Sequence, residues 1–346
     1  QAQKLFDLVP PDSSGVKFTN VIKDDKEINI LEYLYFYNGA GVSIGDVNND
    51  GLPDLYFTSN RYECKLYLNK GNLKFEDVTK KAGVGGYPGA LVTGVVMVDI
   101  NNDGWMDMYL CRSASRDPEM RRNILYVNNR DGTFTNRAKE YGVDDDGYGT
   151  CGYFNDLDGD GDLDLFVVNH PYNFVETDGM HITYNKSRVL VAARDTSLRG
   201  ESSRYYENIN GKFVDKTYEA GLRTRSFGLS ALLQDFNGDG KTDIYLANDF
   251  LEPDYLFVNK GNGKFVNEHD KHFRHGSYFS MGTDYADLNN DGHSDLIVTD
   301  MLPTDNRRRK QLQRPSNYDV FDKQVRYGFG YQYLKNVVQI NNGNGQ

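Results

Sequence analysis

Acidic and amide side chains recur at a fixed spacing in this 346-residue sequence. A nine-residue pattern, Asp-x-Asn/Asp-x-Asp-Gly-x-x-Asp, occurs five times, with intervals of 53, 57, 79 and 52 residues between successive copies. The copies begin at Asp46, Asp99, Asp156, Asp235 and Asp287. Several oxygen ligands close together are what a hard divalent cation such as Ca²⁺ requires. The pattern therefore predicts five cation-binding loops.

Each loop supplies ligands at alternate positions. The side chains at positions 1, 3, 5 and 9 provide carboxylate or amide oxygens, and the variable position 7 provides its backbone carbonyl. Glycine at position 6 permits the sharp turn. The predicted ligands are Asp46, Asn48, Asp50, Leu52 and Asp54; Asp99, Asn101, Asp103, Trp105 and Asp107; Asp156, Asp158, Asp160, Asp162 and Asp164; Asp235, Asn237, Asp239, Lys241 and Asp243; and Asp287, Asn289, Asp291, His293 and Asp295.

Three other interpretations of the loops are weaker. An EF-hand needs Glu at position 12 and flanking helices, whereas position 12 here is always apolar, as in Phe57 and Leu110. Magnesium prefers a rigid octahedron with retained waters. Metal-free Asx turns would leave three or more carboxylates crowded together without a cation, which is unfavourable. Five copies with one spacing favour calcium.

The segments around the loops predict an all-β fold. Short runs rich in Tyr, Phe, Val and Ile flank each loop and suit half-buried strands. A hairpin-like turn such as LYLNKGN from Leu66 follows each time, and no stretch sustains a long capped helical period. Repeats of about 50 residues, each a small antiparallel sheet, are typical of propeller blades. The chain is expected to form one β-propeller region of four-stranded blades over residues 1–346, with short, sparse helices.

The segment GVSIGDVNNDGLPDLYFTSN (residues 41–60) and its four relatives resemble the FG-GAP or VCBS repeat of integrin α-subunit propellers and many bacterial extracellular proteins. TDMLPTDNRRRKQLQRPSNYD (residues 299–319) is similar to surface VCBS/ASPIC-UnbV repeat proteins of Bacteroidetes-like bacteria. The resemblance implies a calcium-binding propeller, exported to the cell surface or outer membrane. It also implies a lipid anchor upstream of Gln1 and partnership with outer-membrane nutrient-uptake complexes.

The number of blades stays open at this stage, because family propellers usually have about seven and only five loops are present. Residues 5–16 (LFDLVPPDSSGV) resemble residues 75–84 (FEDVTKKAGV), so the chain starts within a repeat, and INNGNGQ ends it within another. Either the termini complete one blade of a five-bladed ring, or the sequence is the first part of a longer polypeptide. The second alternative is favoured.

Two connectors are much longer than the rest and are the candidate recognition segments. Residues 170–204 include Tyr172, Phe174, His181 and Tyr184, and residues 301–336 carry eight Lys or Arg against three Asp. We expect them to bind a partner protein or a glycan. The basic run at 307–310 suits an anionic ligand, although such a run is often only solvated.

Composition excludes several classes of function. A net charge of −11 argues against nucleic-acid binding, and the short apolar runs against a membrane span. Cys64, Cys111 and Cys151 fit no disulfide or metal pattern and are expected to be buried, and His269, His272 and His275 are expected to be structural. A non-catalytic surface platform for proteins or glycans is the favoured function, and the propeller of a polysaccharide lyase or hydrolase is the alternative.

Overall fold

Antiparallel sheets dominate the regular secondary structure of the chain in a computed structural model that describes residues 5–172, 180–192, 201–312 and 318–343. The chain divides into two compact units, residues 1–152 and 153–346. The predicted all-β class is confirmed, with four-stranded sheets of the kind that form propeller blades. No described helix could cross a bilayer, since the longest has nine residues.

The first unit contains two four-stranded sheets in which each strand pairs with its neighbour in sequence. We call them sheets 1 and 2. Their strands are β1 (Val42–Gly45), β2 (Asp54–Phe57), β3 (Lys65–Asn69) and β4 (Phe75–Asp77), then β5 (Leu91–Val98), β6 (Asp107–Ser113), β7 (Ile124–Asn128) and β8 (Phe134–Asn136). Side chains of both sheets, including Tyr56, Leu66 and Met108, form one buried core.

The second unit contains the remaining sheets, and the first strand of sheet 3 starts just before the division between the units. In chain order the strands are β9 (Gly149–Asn155), β10 (Asp164–Asn169), β11 (Ile182–Tyr184), β12 (Leu190–Ala192), β13 (Arg204–Ile209), β14 (Lys212–Asp215), β15 (Phe227–Gln234), β16 (Asp243–Asp249), β17 (Tyr255–Asn259), β18 (Phe265–Asn267), β19 (Gly276–Ser277), β20 (Gly282–Ala286), β21 (Asp295–Thr299), β22 (Gln332–Tyr333) and β23 (Val337–Gln339).

These strands continue the repeat. Sheet 3 is β9-β10-β13-β14, sheet 4 is β15-β16-β17-β18, and sheet 5 has three described strands, β20-β21-β23. Two small pairs lie in the connectors: the antiparallel hairpin β11–β12 and the parallel pair β19–β22. Leu157, Phe166 and Leu246 belong to one core that sheets 3 and 4 share. Leu256, Leu296 and Val337 belong to the core between sheets 4 and 5.

The described helices are all short, as predicted. They are α1 (Pro11–Ser14), α2 (Thr79–Ala82), α3 (Pro118–Arg121), α4 (Ala138–Tyr141), α5 (Thr217–Ala220), α6 (His269–His272), α7 (Asn306–Leu312) and α8 (Tyr318–Arg326). Helix α2 ends at Gly83 with φ of 75°, and α1 ends at Gly15 with φ of 84°. Left-handed geometry favours glycine at a helix end, and the predicted likeness of residues 5–16 to 75–84 extends to this turn.

In sheets 2 to 5, one hydrogen bond of the same kind closes the base of the connector between the second and third strands, whatever its length. The residue just before the third strand accepts from a backbone N–H at the end of the second strand or just beyond it. The N–H donors to Asn123, Ser203, Asp254 and Asn336 are those of Arg112, Asn169, Asn248 and Asp300, at 2.7–3.4 Å. Residues 173–179 and 193–200 of one long connector, Phe174 among them, and 313–317 of the other lie outside the described residues.

Candidate metal centres

All five acidic loops occupy the same place in the fold, between the first and second strands of a sheet. In each, the N–H of the position-6 glycine donates to the position-1 carboxylate, at 2.7–3.1 Å. The position-7 N–H donates to the position-5 carboxylate, at 2.9–3.0 Å. Backbone donors therefore hold the acidic side chains of positions 1 and 5 at fixed places on the loop.

Two residues of each loop have left-handed backbone geometry. In the first loop Gly51 has φ of 84°, yet a Cβ there would meet no atom within 4 Å. The conformation, and not space, therefore requires glycine. Position 4 is also left-handed, with φ of 57° at Asn49 and 87° at Gly159. Sequence reasoning missed this second position, although Asn or Gly stands there in all five loops.

The position-9 carboxylates are buried and have a structural role of their own. One oxygen of each accepts from the position-2 N–H, at 2.9–3.2 Å. The other oxygen accepts from the N–H of an asparagine within two residues of the end of the third strand, at 2.8–2.9 Å. A carboxylate oxygen has two lone pairs, so each carboxylate keeps at least one for a cation, even in Asp164, whose Oδ2 also accepts from the Tyr205 hydroxyl. The five are Asp54, Asp107, Asp164, Asp243 and Asp295.

Burial raises the pKa of four of these carboxyl groups. Desolvation raises the pKa of Asp107 and of Asp243 to about 6, and the negative charge of neighbouring loop carboxylates acts in the same direction with a smaller effect. The same two effects raise the pKa of Asp164 to about 7. Desolvation also raises the pKa of Asp54. A bound divalent cation would favour the ionised form of each group.

The asparagine near the end of each third strand, which donates its N–H to position 9, was not predicted as a functional residue. Besides its N–H bond to position 9, its side-chain amide donates to loop carbonyls. Asn128 donates to the carbonyl of Val47 in the preceding loop, at 2.8 Å. Asn259 bonds in the same way to Leu157, at 2.8 Å, and Asn341 to Phe236, at 3.2 Å. The signal was present as the repeated Asn of LYLNKGN and LYVNNRDG, but its partners are distant in sequence.

The third loop has the strongest concentration of ligand atoms. Carboxylate oxygens of Asp156, Asp158 and Asp164 all lie within 4.8 Å of one another. Asp162 adds a further carboxylate, and its buried Oδ1 has no hydrogen-bond partner among the described residues. A cation would satisfy this oxygen and relieve the repulsion. The residues present therefore fit a calcium ion.

Basic side chains enter two of the other loops. Arg130 Nη2 lies 2.8 Å from Asp103 Oδ2 at position 5 of the second loop. Lys241 Nζ lies 3.0 Å from Asp239 Oδ2 at position 5 of the fourth loop. Each basic side chain partly neutralises the charge of a carboxylate that is predicted to be a metal ligand. Sequence reasoning placed Lys241 in the loop only for its carbonyl and did not foresee either ion pair.

The three histidines in and just after α6 do not point towards a common site. His269 Nδ1 lies 3.2 Å from Asp270, His272 Nε2 lies 3.5 Å from Glu268, and the His275 ring packs against Tyr333. Cys64 and Cys111 are buried as expected, whereas Cys151 is only half-buried, and none of the three forms a disulfide. Within the described residues, neither set forms a metal site.

Comparison with known proteins agrees with the repeat architecture. The profile of the FG-GAP-like repeat matches residues 34–110, 113–167 and 235–298, more than half of the chain. The protein belongs to the FG-GAP-like repeat family.

Curated relatives share only part of this chain. Cartilage acidic protein 1 of Xenopus tropicalis is 30% identical over 142 residues, which is 39% of this chain and 21% of that protein. Integrin alpha-PS3 of Drosophila melanogaster is 27% identical over 143 residues, which is 37% of this chain and 13% of the integrin. The matched region thus spans about a fifth or less of these relatives. Both are animal proteins, so the bacterial subgroup stays a prediction.

Two solved structures match this chain at low similarity. One comes from work on the recognition of non-reducing terminal N-acetylglucosamine by an Agrocybe aegerita lectin. It is 17% identical, with a TM-score of 0.44, and covers 88% of this chain and 63% of its own. The other is the V. cholerae biofilm matrix protein Bap1, 13% identical, with a TM-score of 0.37 over 75% of this chain and 35% of its own.

Proposed function

We propose that the chain is a calcium-stabilised β-propeller region of an exported protein and serves as a non-catalytic platform that binds protein or glycan. The observation that carries the proposal is the identical construction of five acidic loops, each ending on a buried position-9 carboxylate. Five equivalent sites spaced along one chain suit a structural role, whereas a catalytic centre needs one distinct constellation.

Calcium would be held by the ligands that the sequence predicts, at positions 1, 3, 5, 7 and 9 of each loop. When bound, the ion supplies positive charge that replaces the repulsion among these carboxylates. The chain itself supplies backbone donors, because N–H groups hold the carboxylates of positions 1, 5 and 9. An ion that binds the native loops and not the unfolded chain stabilises the native state.

The exported location rests on the relatives, whose names refer to cartilage and to an integrin. Under this proposal the recognition surface lies on the long connectors, which the sheets hold rigidly at both ends. The bacterial resemblance extends the proposal to an outer-membrane surface protein, anchored by lipid upstream of Gln1 and associated with nutrient uptake.

The test combines calcium titration with a search for activity. Isothermal titration of the full chain should show calcium binding in the micromolar-to-millimolar range typical of extracellular sites. Incubation with plant and microbial polysaccharides should release no unsaturated or reducing sugar ends. A chain that binds no calcium would overturn the structural role. Sugar release that one substitution outside the loops abolishes would establish the lyase or hydrolase alternative.

A further inference from the structure

The two long connectors meet in the second unit. The N–H of Ala192, at the end of the β11–β12 hairpin, donates to the carbonyl of Tyr327 just after α8, at 2.7 Å. Strand β22 of the second connector pairs with β19, and the buried Gln332 side chain donates to the carbonyls of Leu251 and Phe329. Segments from sheets 3 and 5 therefore form one anchored surface.

Aromatic rings line this surface. The ring of Phe321 lies 6.3 Å from that of Tyr331 and 6.1 Å from that of Tyr333, between ring centres. His275 adds a fourth ring, 5.9 Å from Tyr333. Tyr331 is 50% exposed and Tyr333 is 42% exposed. We call these four residues the aromatic strip. Rigid, half-exposed tyrosines offer contact area at little cost in conformational entropy.

The strip lies in a basic part of the chain. The ammonium group of Lys335 lies 5.4 Å over the centre of the Tyr333 ring. The described parts of the two connectors, residues 170–172, 180–192, 201–204, 301–312 and 318–336, carry ten Lys or Arg against three Asp and one Glu, whereas the whole chain has a net charge of −11. A local excess of positive charge on an acidic protein attracts an anionic ligand.

Resting on the proposed function, we infer that the aromatic strip binds an anionic polysaccharide, with sugar rings stacked on Tyr331 and Tyr333 and acidic substituents beside Lys335. The electron-rich face of an aromatic ring attracts the C–H bonds on one face of a sugar. The basic side chains of the connectors pair with carboxylate or sulfate groups. The ligand class is thus a chain of sugars that carries repeated negative charge.

The size of the strip favours a glycan over a protein. A fully exposed aromatic side chain offers about 150–250 Å², so two half-exposed tyrosines present roughly 200 Å² together. A stable protein interface needs about 800 Å² from each partner. Single-stranded nucleic acid also stacks its bases on aromatic rings, so single-stranded DNA is one of the ligands compared in the test.

The test compares ligands that differ in one property. The full chain, in calcium buffer, is passed over immobilised dextran sulfate, neutral dextran, poly-L-glutamate and single-stranded DNA. We expect dextran sulfate to bind most tightly. Replacing both Tyr331 and Tyr333 by alanine should weaken that binding about tenfold. Tyr218→Ala, at a tyrosine on α5 that is 73% exposed, is the control and should change that binding less than twofold.

Several results would overturn the inference. These are equal binding of poly-L-glutamate, tighter binding of DNA, no binding of dextran sulfate, or an unchanged affinity in the double variant. Unfolding temperature and calcium retention are measured on every variant, and Tyr331→Ser replaces the double variant if that one does not fold. If the chain binds calcium but binds a glycan or protein through residues outside the aromatic strip, only this inference fails and the proposed function stands. If calcium is not bound, the proposed function fails first.

Discussion

The third and fourth acidic loops share a backbone but differ in charge. In both, the glycine N–H, the position-7 N–H and the buried position-9 carboxylate make the same hydrogen bonds. The third loop carries Asp at all five ligand positions, whereas the fourth has Asn237 at position 3 and Lys241 at position 7. The comparison suggests two separate roles that experiment can test: backbone hydrogen bonds build the loop, and we expect side-chain charge to set its affinity for a cation.

The largest expected effect is loss of a position-9 carboxylate. Asp164→Ala removes the acceptor of two buried N–H groups and of the Tyr205 hydroxyl. We expect a loss of about 2–5 kcal/mol in the free energy of unfolding, measured by urea denaturation in chelator. In chelator, Asp243→Ala should lower the free energy of unfolding by a similar amount. In calcium, the free energies of unfolding of the two variants should differ more than they do in chelator.

Asp160→Ala is the control, because that side chain is exposed and lies in the same loop. Its effect in chelator should stay below about 1 kcal/mol. If Asp160→Ala and Asp164→Ala destabilise the chain equally without calcium, the division between scaffold and ligand is wrong.

Sheets 3 and 4 also differ at the end of the second strand that is remote from the acidic loop. His170 directly follows β10 in sheet 3, and Asp249 ends β16 in sheet 4. Burial lowers the pKa of His170 from its ordinary value of 6.5 to about 4. The unfolded chain therefore takes up a proton between these values while the native chain does not. Stability is full above about pH 6.5 and falls as the pH decreases towards 4, by up to about 3 kcal/mol.

His170→Gln should reduce the slope of stability against pH in this range. Chemical denaturation at a series of pH values, in chelator, measures that slope for both proteins. An identical slope would mean that His170 titrates normally and that its burial has no part in the acid sensitivity of sheet 3.

A smaller effect is expected from the asparagine that bridges two loops. Asn259→Ala leaves the carbonyls of Leu157 and Thr242 without this donor. We expect about 1–3 kcal/mol of destabilisation and weaker calcium binding at both the third and fourth loops. Asn262→Gly is the matched control, because Asn262 is exposed and already left-handed, with φ of 54°. Equal unfolding midpoints for the two variants would exclude the bridging role.

The smallest effect concerns charge alone. Lys241→Asp should tighten the fourth site and Asp162→Lys should weaken the third, each about tenfold in calcium dissociation constant, or about 1.4 kcal/mol. Calorimetric titration of the full chain resolves the tightest and weakest classes of site. Raising the salt concentration should reduce both differences, because the groups are partly exposed. Unchanged titrations would show that side-chain charge does not rank the loops.

The sequence predicted the local features of the fold well and the long-range ones poorly. The acidic loops, the strands beside them and the turn at Gly51 follow from nearby residue types, because spacing along the chain determines them. The amide of Asn128 bonds to Val47, and Arg130 pairs with Asp103, only because the sheets bring together residues 27 to 81 positions apart. No local pattern marks such partners. The meeting of Ala192 with Tyr327 was likewise invisible before the connectors were placed.

The most direct test of the account is native mass spectrometry of the full chain in calcium buffer, with and without chelator. Loops built alike on buried position-9 carboxylates predict up to five bound calcium ions. The Asp164→Ala variant should then lose one ion from the fully loaded mass. A mass that is the same with and without chelator would contradict the central claim that these loops are calcium sites.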